Sequence, residues 1–170
     1  MNLHKLYEIQ GGLDYRIHEK FSLQAKDVLM ERLLAFLVEL GEAANDWRGF
    51  KFWSENKEAK ETLLEEYVDG LHFILSIGNT LLEMDLISKV PLQLSALKQD
   101  NITEQFLLVY AATMHLHESI QYDGHVAYWY ASLFETFLGL GELLGFLRDE
   151  IEAAYMEKNA ENHNRQDNGY

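Results

Sequence analysis

The chain contains a single proline, Pro91, among its 170 residues, so most of its length is free to form long helices. Apolar residues recur at spacings of three and four in several long segments, which is typical of amphipathic helices. No sustained alternation of apolar and polar residues marks a strand. The sequence therefore predicts an all-α protein, a bundle of mostly antiparallel helices that forms a single domain over residues 1–170.

The apolar spacing also predicts where the helices begin and end. Ser22 is expected to be the N-cap of the first helix, and the turn signal Tyr122-Asp123-Gly124 is expected to separate the last two. The aromatic and basic segment 47–60 is expected to be a loop, and the polar segment 159–170, taken by itself, a frayed tail. The predicted helices span about residues 22–46, 63–81, 103–121 and 125–158.

The triplet Leu-Gly-Glu occurs twice, at residues 40–42 and 140–142, each time late in an apolar helix. This repetition indicates a candidate internal duplication of a helical pair. The two copies differ at the residue three positions before the glutamate, which is Glu39 in the first copy and Gly139 in the second. We therefore expect no metal ion at the second copy.

The charge balance excludes several classes of function. With 28 acidic residues against 14 Lys and Arg, the formal net charge is −14, which is a poor match for the phosphates of nucleic acid. The longest stretches without Asp, Glu, Lys or Arg, 70–82 and 105–117, are shorter than the roughly 20 residues of a membrane span. The chain has no cysteine, and its first residues lack the apolar run of a signal peptide. We expect a cytoplasmic protein that binds neither nucleic acid nor membrane.

Two acidic pairs at helical spacing are the strongest local signal. Glu39 and Glu42 form the first pair, and Glu66 and Asp69, which begin 24 residues after Glu42, form the second. Residues three apart share one helix face, where like charges repel, so carboxylates that face a helical core need a cation or protons. Carboxylate oxygens without nearby His or Cys favour Mg²⁺ or Mn²⁺ over zinc. The alternative interpretation is that surface glutamates fall at this spacing by chance.

The segments around these acids carry a wider pattern. They are ELGEAANDWRGFKFWS and LLEEYVDGLHFILSIG, and they occur together with QGGLDYRI and YMEKNAENHNRQDNGY. These segments resemble the dimeric dUTPase family, within the MazG-like superfamily of all-α nucleoside triphosphate pyrophosphatases, in a Gram-positive bacterial or phage form. The resemblance implies the helical fold of that superfamily and a homodimer. It also implies Mg²⁺-dependent hydrolysis of dUTP, and of dUDP, to dUMP, with Mn²⁺ as a substitute ion.

The resemblance assigns the metal-binding and catalytic roles to the four acids. Glu39, Glu42, Glu66 and Asp69 would bind Mg²⁺, which neutralises charge on the phosphate oxygens. Glu39 is the residue that we expect to take a proton from the attacking water. The chain has no cysteine, Gly-rich phosphate loop or Ser-His-Asp set, so no covalent intermediate is expected.

The remaining matched residues would bind the substrate. Trp53 would stack on uracil, Gln10 would lie near the polar edge of that base, and Phe73 would pack against the deoxyribose. Residues 159–170 would form a mobile tail that closes over the phosphates. The expected substrate-binding residues are Gln10, Asp14, Lys51, Trp53, His72, Phe73, Lys158, Asn159, Asn162, Arg165 and Gln166.

Two alternative functions stay open at this point. The chain could be a MazG-like nucleoside triphosphate pyrophosphatase of broader specificity, in which Trp53 does not select uracil. It could also be a catalytically inactive helical relative that binds or regulates another protein. The intact acidic pairs and the polar C-terminal pattern argue against the second alternative.

Overall fold

The computed structural model describes residues 1–122 and 124–169 of the chain. Asp123, in the middle of the predicted turn, and Tyr170, the last residue of the C-terminal pattern, lie outside the described residues. All regular structure within the described ranges is helical, which confirms the predicted all-α class. The helices are α1 (Leu3–Phe21), α2 (Ala25–Trp47), α3 (Leu63–Glu83), α4 (Ile102–Gln121), α5 (Val126–Leu143) and α6 (Arg148–Asn168).

Helix α1 was not predicted, and the role predicted for Ser22 is wrong. Ser22 has a φ of 53° in the left-handed region, and its backbone N–H donates to the carbonyl of His18, so this residue ends α1. Helix α2 begins after Gln24, whose backbone N–H donates to the carboxylate of Asp27 at 3.2 Å. The sequence pattern of α1 is weak because its buried face includes the polar residues Gln10 and Asp14.

Helix α3 is the central element, as the breadth of its apolar surface predicts. It packs against α1, α2, α5 and α6, and Val68, Leu71 and Leu75 are completely buried. The segment between α2 and α3, residues 48–62, contains no α-helix, which confirms the predicted loop.

Two antiparallel helix pairs form the bundle. Arg32, early in α2, hydrogen-bonds Thr80, late in α3, whereas Thr62, just before α3, donates to Asp46 near the end of α2. In the second pair, the amide of Gln105, early in α4, donates to the carbonyl of Thr136, past the middle of α5, at 2.6 Å, and His115, late in α4, stacks on Trp129, early in α5. Both pairs therefore agree with the predicted antiparallel arrangement.

The long helix predicted for residues 125–158 is wrong, because α5 and α6 are separate helices bent by 108° relative to each other. The chain turns at Gly145, which has a φ of 88°, and the N–H of Phe146 donates to the carbonyl of Gly141 at 3.0 Å. A glycine in this conformation ends a helix at little steric cost. Helix α6 then continues to Asn168, so the frayed tail expected from composition alone is helical, and the mobility of this segment stays a prediction.

The two Leu-Gly-Glu copies lie in α2 and α5. The glutamate of the second copy, Glu142, is exposed, and its carboxylate lies 2.8 Å from Lys98 and 3.7 Å from Arg148. The candidate duplication stays a prediction.

Among the described residues, none of the single helices has both the length and the apolar composition of a membrane span. The pair α5 and α6 reaches the required length and hydropathy only when both helices are counted together across their bend.

Candidate active site

Three of the four predicted acids converge between α2 and α3. Each of Glu39, Glu42 and Glu66 offers a carboxylate oxygen, and these oxygens all lie within 4.8 Å of one another. The antiparallel packing of the two helices brings the pair on α2 opposite the start of α3. Glu39 and Glu66 are partly buried, and Glu42 is exposed, so the cluster lies at the surface end of the helix interface.

The electrostatics of this cluster indicate a site that fits a cation. Burial, followed by the nearby charges of Asp69, Glu42 and Glu66, raises the pKa of Glu39 to about 7. Burial and the charge of Glu42 likewise raise the pKa of Glu66. A divalent cation would relieve this repulsion, and oxygen ligands of this kind suit a hard ion. The residues present therefore fit a divalent metal ion.

Asp69, the fourth predicted acid, is paired with a lysine. Its carboxylate lies 2.8 Å from the ammonium of Lys158 on α6, and the same ammonium lies 2.7 Å from Glu65. Burial alone would lower the pKa of Lys158, but its hydrogen bonds to Asp69 and Glu65 raise it overall. Burial raises the pKa of Asp69 despite this lysine. Asp69 therefore stays close enough to influence Glu39 while its negative charge is balanced from α6.

A second ion pair holds the start of α3 against the end of α2. The buried carboxylate of Asp46 accepts hydrogen bonds from the ammonium of Lys60 and the hydroxyl of Thr62. Burial would raise the pKa of Asp46, but these two hydrogen bonds lower it overall. Since Glu42 lies one turn before Asp46 and Glu66 lies one turn after Thr62, this contact positions the two halves of the acidic cluster. The sequence analysis did not identify Asp46.

A cleft of about 340 Å³ runs from the acidic cluster between α1, α2, α3 and α6. Nine of the predicted site residues line it: Gln10, Asp14, Glu39, Asp69, His72, Phe73, Asn162, Arg165 and Gln166. His18, Arg32 and Ser76 also line the cleft, and the sequence analysis missed them. The signal that could have found Ser76 is its position one helical turn from His72 and two turns from Asp69 on α3.

A buried polar network forms the end of the cleft farther from the acids. Asp14 accepts hydrogen bonds from the amide of Gln10 at 3.0 Å and from the hydroxyl of Ser76 at 2.8 Å. The guanidinium of Arg32 lies 3.5 Å from the same carboxylate oxygen and hydrogen-bonds His18 at 2.9 Å. Polar groups that are buried to this extent usually serve either folding or ligand binding.

The acidic cluster, the cleft and the polar network together have the size and chemistry of a nucleotide site. The sequence model of the family described as dUTPase matches residues 2–170. The chain belongs to the dUTPase family. This dUTPase hydrolyses dUTP to dUMP. None of the curated proteins compared with the chain is similar to it in sequence.

His72 connects the polar network of the dUTPase to α6. Its Nδ1 lies 2.8 Å from the side-chain oxygen of Gln10, and its ring stacks on Tyr155 with 4.1 Å between centroids. Burial, followed by the charge of Lys158, lowers the pKa of His72 to about 3, so the ring is neutral at physiological pH. The Nε2 atom of His72 and the Oδ2 atom of Asp14 have no hydrogen-bond partner among residues 1–122 and 124–169.

Four predicted substrate-binding residues of the dUTPase lie outside the lining of the cleft. Trp53 is 64% exposed and packs edge-on against Phe52, with 4.9 Å between ring centroids, in the loop 48–62. Lys51, in the same loop, donates to the side-chain oxygen of Asn45 at 2.6 Å. Lys158 and Asn159 are buried in the middle of α6, where Lys158 pairs with the acids of α3.

Proposed function

We propose that this dUTPase hydrolyses dUTP and dUDP with Mg²⁺ held by Glu39, Glu42, Glu66 and Asp69, and that Mn²⁺ can substitute for Mg²⁺. The observation that carries the proposal is the approach of three of these carboxylates to within 4.8 Å of one another beside the cleft. The ion, when bound, neutralises negative charge on the phosphate oxygens. The products are dUMP and, from dUTP, pyrophosphate.

Glu39 is the proposed general base. It lines the cleft beside the other carboxylates of the cluster, where an ionised carboxylate can accept a proton from water.

Helix α6 supplies the proposed phosphate contacts. Asn162, Arg165 and Gln166 line the cleft on the side that faces α1 and α2, and Arg165 offers the fork of donors that binds phosphate oxygens. Lys158 and Asn159, in the middle of α6, complete this set. Segment 159–170 closes over the phosphates when the nucleotide binds. Lys51 approaches the phosphates from the loop.

The nucleoside occupies the rest of the cleft. Phe73 lines it one turn after Asp69 and packs against the deoxyribose, where an apolar ring disfavours a 2′-hydroxyl. Gln10, Asp14 and His72 lie at the end where the base binds. Trp53 stacks on uracil after the loop 48–62 moves toward the cleft. A broader pyrophosphatase remains the second candidate, and the position of Trp53 outside the cleft is the observation that favours it.

The release of pyrophosphate from dUTP, dTTP, dCTP and UTP tests this proposal, with Mg²⁺ or with a chelator present. We expect turnover that requires Mg²⁺ and that is at least about 100-fold faster for dUTP than for the other nucleotides. Equal rates for all four would favour the broader enzyme. Trp53→Ala would then separate the two candidates, since it lowers the preference for dUTP only if this ring contacts the base.

A homodimer is the second part of the proposal. The faces of α2 and α4 that point outward expose the apolar side chains of Leu34, Val38, Leu107 and Met114. Since segment 105–117 has no charged residue in a chain of net charge −14, this face is where two copies can approach with least repulsion. Leu34→Glu combined with Met114→Glu should convert a dimer to a monomer in light scattering. Leu92→Glu, at an exposed site elsewhere, is the matched control.

A further inference from the structure

The hydrogen-bonding capacity of Gln10 is almost fully used within the protein. Its side-chain oxygen lies 2.8 Å from Nδ1 of His72 and accepts the hydroxyl of Tyr155 at 2.9 Å. An amide oxygen has two lone pairs, so these partners saturate it. Its amide nitrogen carries two protons and donates one of them to Asp14 at 3.0 Å. Gln10 therefore has one N–H left for a ligand and no acceptor.

The orientation of this amide is set by charge. A carboxylate accepts hydrogen bonds and cannot donate them, so the group of Gln10 that faces Asp14 must be the amide nitrogen. The guanidinium of Arg32 pairs with the same carboxylate oxygen of Asp14 at 3.5 Å. A rotation of the Gln10 amide by 180° would place its oxygen against the oxygen of Asp14, and it would remove the 2.9 Å hydrogen bond from the hydroxyl of Tyr155.

Tyr155 secures the opposite side of the amide. Its ring is completely buried, and burial raises the pKa of its hydroxyl, so the O–H proton is retained. The same ring stacks on His72. Nδ1 of His72 must carry a proton, because it faces the oxygen of Gln10, which can only accept a hydrogen bond. Tyr155 thus contacts the amide oxygen directly, and Arg32 acts on the amide nitrogen through Asp14. Tyr155 itself does not line the cleft.

The polar network that holds this amide extends along α3 from His72 to Ser76, away from the acidic end of the cleft. Along α3, Asp69 lines the acidic end of the cleft and Ser76 contacts Asp14 at the other end. Seven residues of helix rise about 10 Å. That length is comparable to the span from a phosphate to the far edge of a pyrimidine.

We propose that Tyr155 and Arg32 are positioning residues that fix Gln10 as a hydrogen-bond donor, and that this fixed donor selects a pyrimidine carbonyl over an amino group. The inference rests on the proposed binding of the base at Gln10 and adds the groups that orient it. Uracil presents a carbonyl where cytosine presents an amino group at position 4. Facing the fixed N–H, cytosine would place two donors together, and the amide could not rotate to relieve the conflict.

The test compares dUTP with dCTP in Tyr155→Phe, which removes the hydroxyl but keeps the ring that stacks on His72. We expect the ratio of kcat/KM for dUTP to that for dCTP to fall roughly five- to tenfold, the effect of one neutral hydrogen bond. The change should appear in KM, with kcat for dUTP nearly constant. Tyr128→Phe, at an exposed tyrosine of α5, is the matched control and should leave the ratio unchanged.

Two variants of Arg32 test whether its positive charge is needed for the discrimination between dUTP and dCTP. Arg32→Lys keeps a positive charge near Asp14 and should retain most of the discrimination, whereas Arg32→Gln should lose it. An unchanged ratio in folded Tyr155→Phe would overturn the inference, as would an equal loss of activity on both nucleotides. Both results concern the variants alone and do not contradict dUTP hydrolysis by the wild-type protein. Failure of the wild-type protein to hydrolyse dUTP would instead contradict the proposed function.

Discussion

The ammonium of Lys158 lies 2.8 Å from the carboxylate of Asp69, and this ion pair joins the middle of α6 to the acidic face of α3. This lysine balances a negative charge that would otherwise add to the repulsion around Glu39. A divalent cation bound to the same acids would balance that charge in its place. Lys158 and a cation bound to the cluster would therefore balance the same negative charge.

Replacing Lys158 should destabilise the protein mainly when no divalent cation is present. Lys158→Met removes the partner of Asp69, and we expect a loss of about 1–3 kcal/mol in the free energy of unfolding, between the values for exposed and buried ion pairs. Thermal denaturation with EDTA and with Mg²⁺ measures this loss. Lys57→Met, in the exposed loop, is the control. An equal loss under both conditions would show that Lys158 and the cation do not share Asp69.

Removing one acid of the cluster should abolish turnover without unfolding the chain. Glu66→Ala takes away one carboxylate of the metal site, so we expect kcat/KM for dUTP to fall by about 100-fold or more. The fold should persist, because the substitution also removes a like charge that raises the pKa of Glu39. Initial rates and circular dichroism check the two expectations. Glu104→Ala is the control, and wild-type activity in Glu66→Ala would reject the proposed site.

The raised pKa of Glu39 makes stability depend on pH when the cluster binds no metal. The group has an ordinary pKa of 4.5 and a pKa of about 7 in the fold, so the folded protein binds its proton more tightly than the unfolded chain does. The resulting stabilisation is complete below pH 4.5 and is lost as the pH rises through about 7. Urea denaturation with EDTA should show this decline, and both Glu39→Gln and added Mg²⁺ should reduce it. A slope unchanged in Glu39→Gln would assign the effect to other groups.

The contact between Asp46 and Thr62 should matter for both stability and catalysis. Asp46→Ala removes the acceptor of two hydrogen bonds, and we expect a loss of about 1–3 kcal/mol in the free energy of unfolding. We also expect kcat/KM to fall about tenfold, since Asp46 would no longer fix the position of Glu42 relative to Glu66. Denaturation and initial rates measure these effects, with Asp100→Ala as the control. Unchanged activity in a destabilised variant would limit Asp46 to folding.

Truncation after Ala160 should weaken substrate binding and leave the bundle folded. The deletion removes Asn162, Arg165 and Gln166 from the cleft. It also removes the contact in which Lys20 on α1 donates to the carbonyl of Gln166 at 2.7 Å. We expect KM for dUTP to rise at least about tenfold, with a small decrease in Tm. A normal KM would show that this segment does not contact the phosphates.

The helices that the sequence predicted best are those that bury apolar side chains. Helix α3 has a broad apolar surface because it is surrounded by other helices, and its predicted span agrees with the structure. Helix α1 escaped prediction because Gln10 and Asp14, which serve the cleft, interrupt its apolar face. The bend at Gly145 was missed because composition does not distinguish a glycine that continues a helix from one that ends it.

In the candidate site, too, the sequence predicted the residues with a local pattern and missed those that depend on contacts between distant parts of the chain. The spacing of Glu39, Glu42 and Glu66 follows from helix geometry, so local sequence sufficed to place them on one face of each helix. Arg32 and Tyr155 act through hydrogen bonds with residues distant in the chain, and no local pattern marks them. Their contacts follow only from the packing of α1, α2 and α6 against α3.

The packing of α1 against α6 has a consequence for folding. Tyr155 contacts Gln10 across 145 residues, and the cleft requires both helices, so the site is built from contacts of very long sequence separation. Contacts of this kind close late, after local helices have formed, because loop closure opposes them. During refolding from denaturant, nucleotide turnover should therefore recover after the helical signal. Recovery of activity is therefore a stricter measure of complete folding than recovery of helix content.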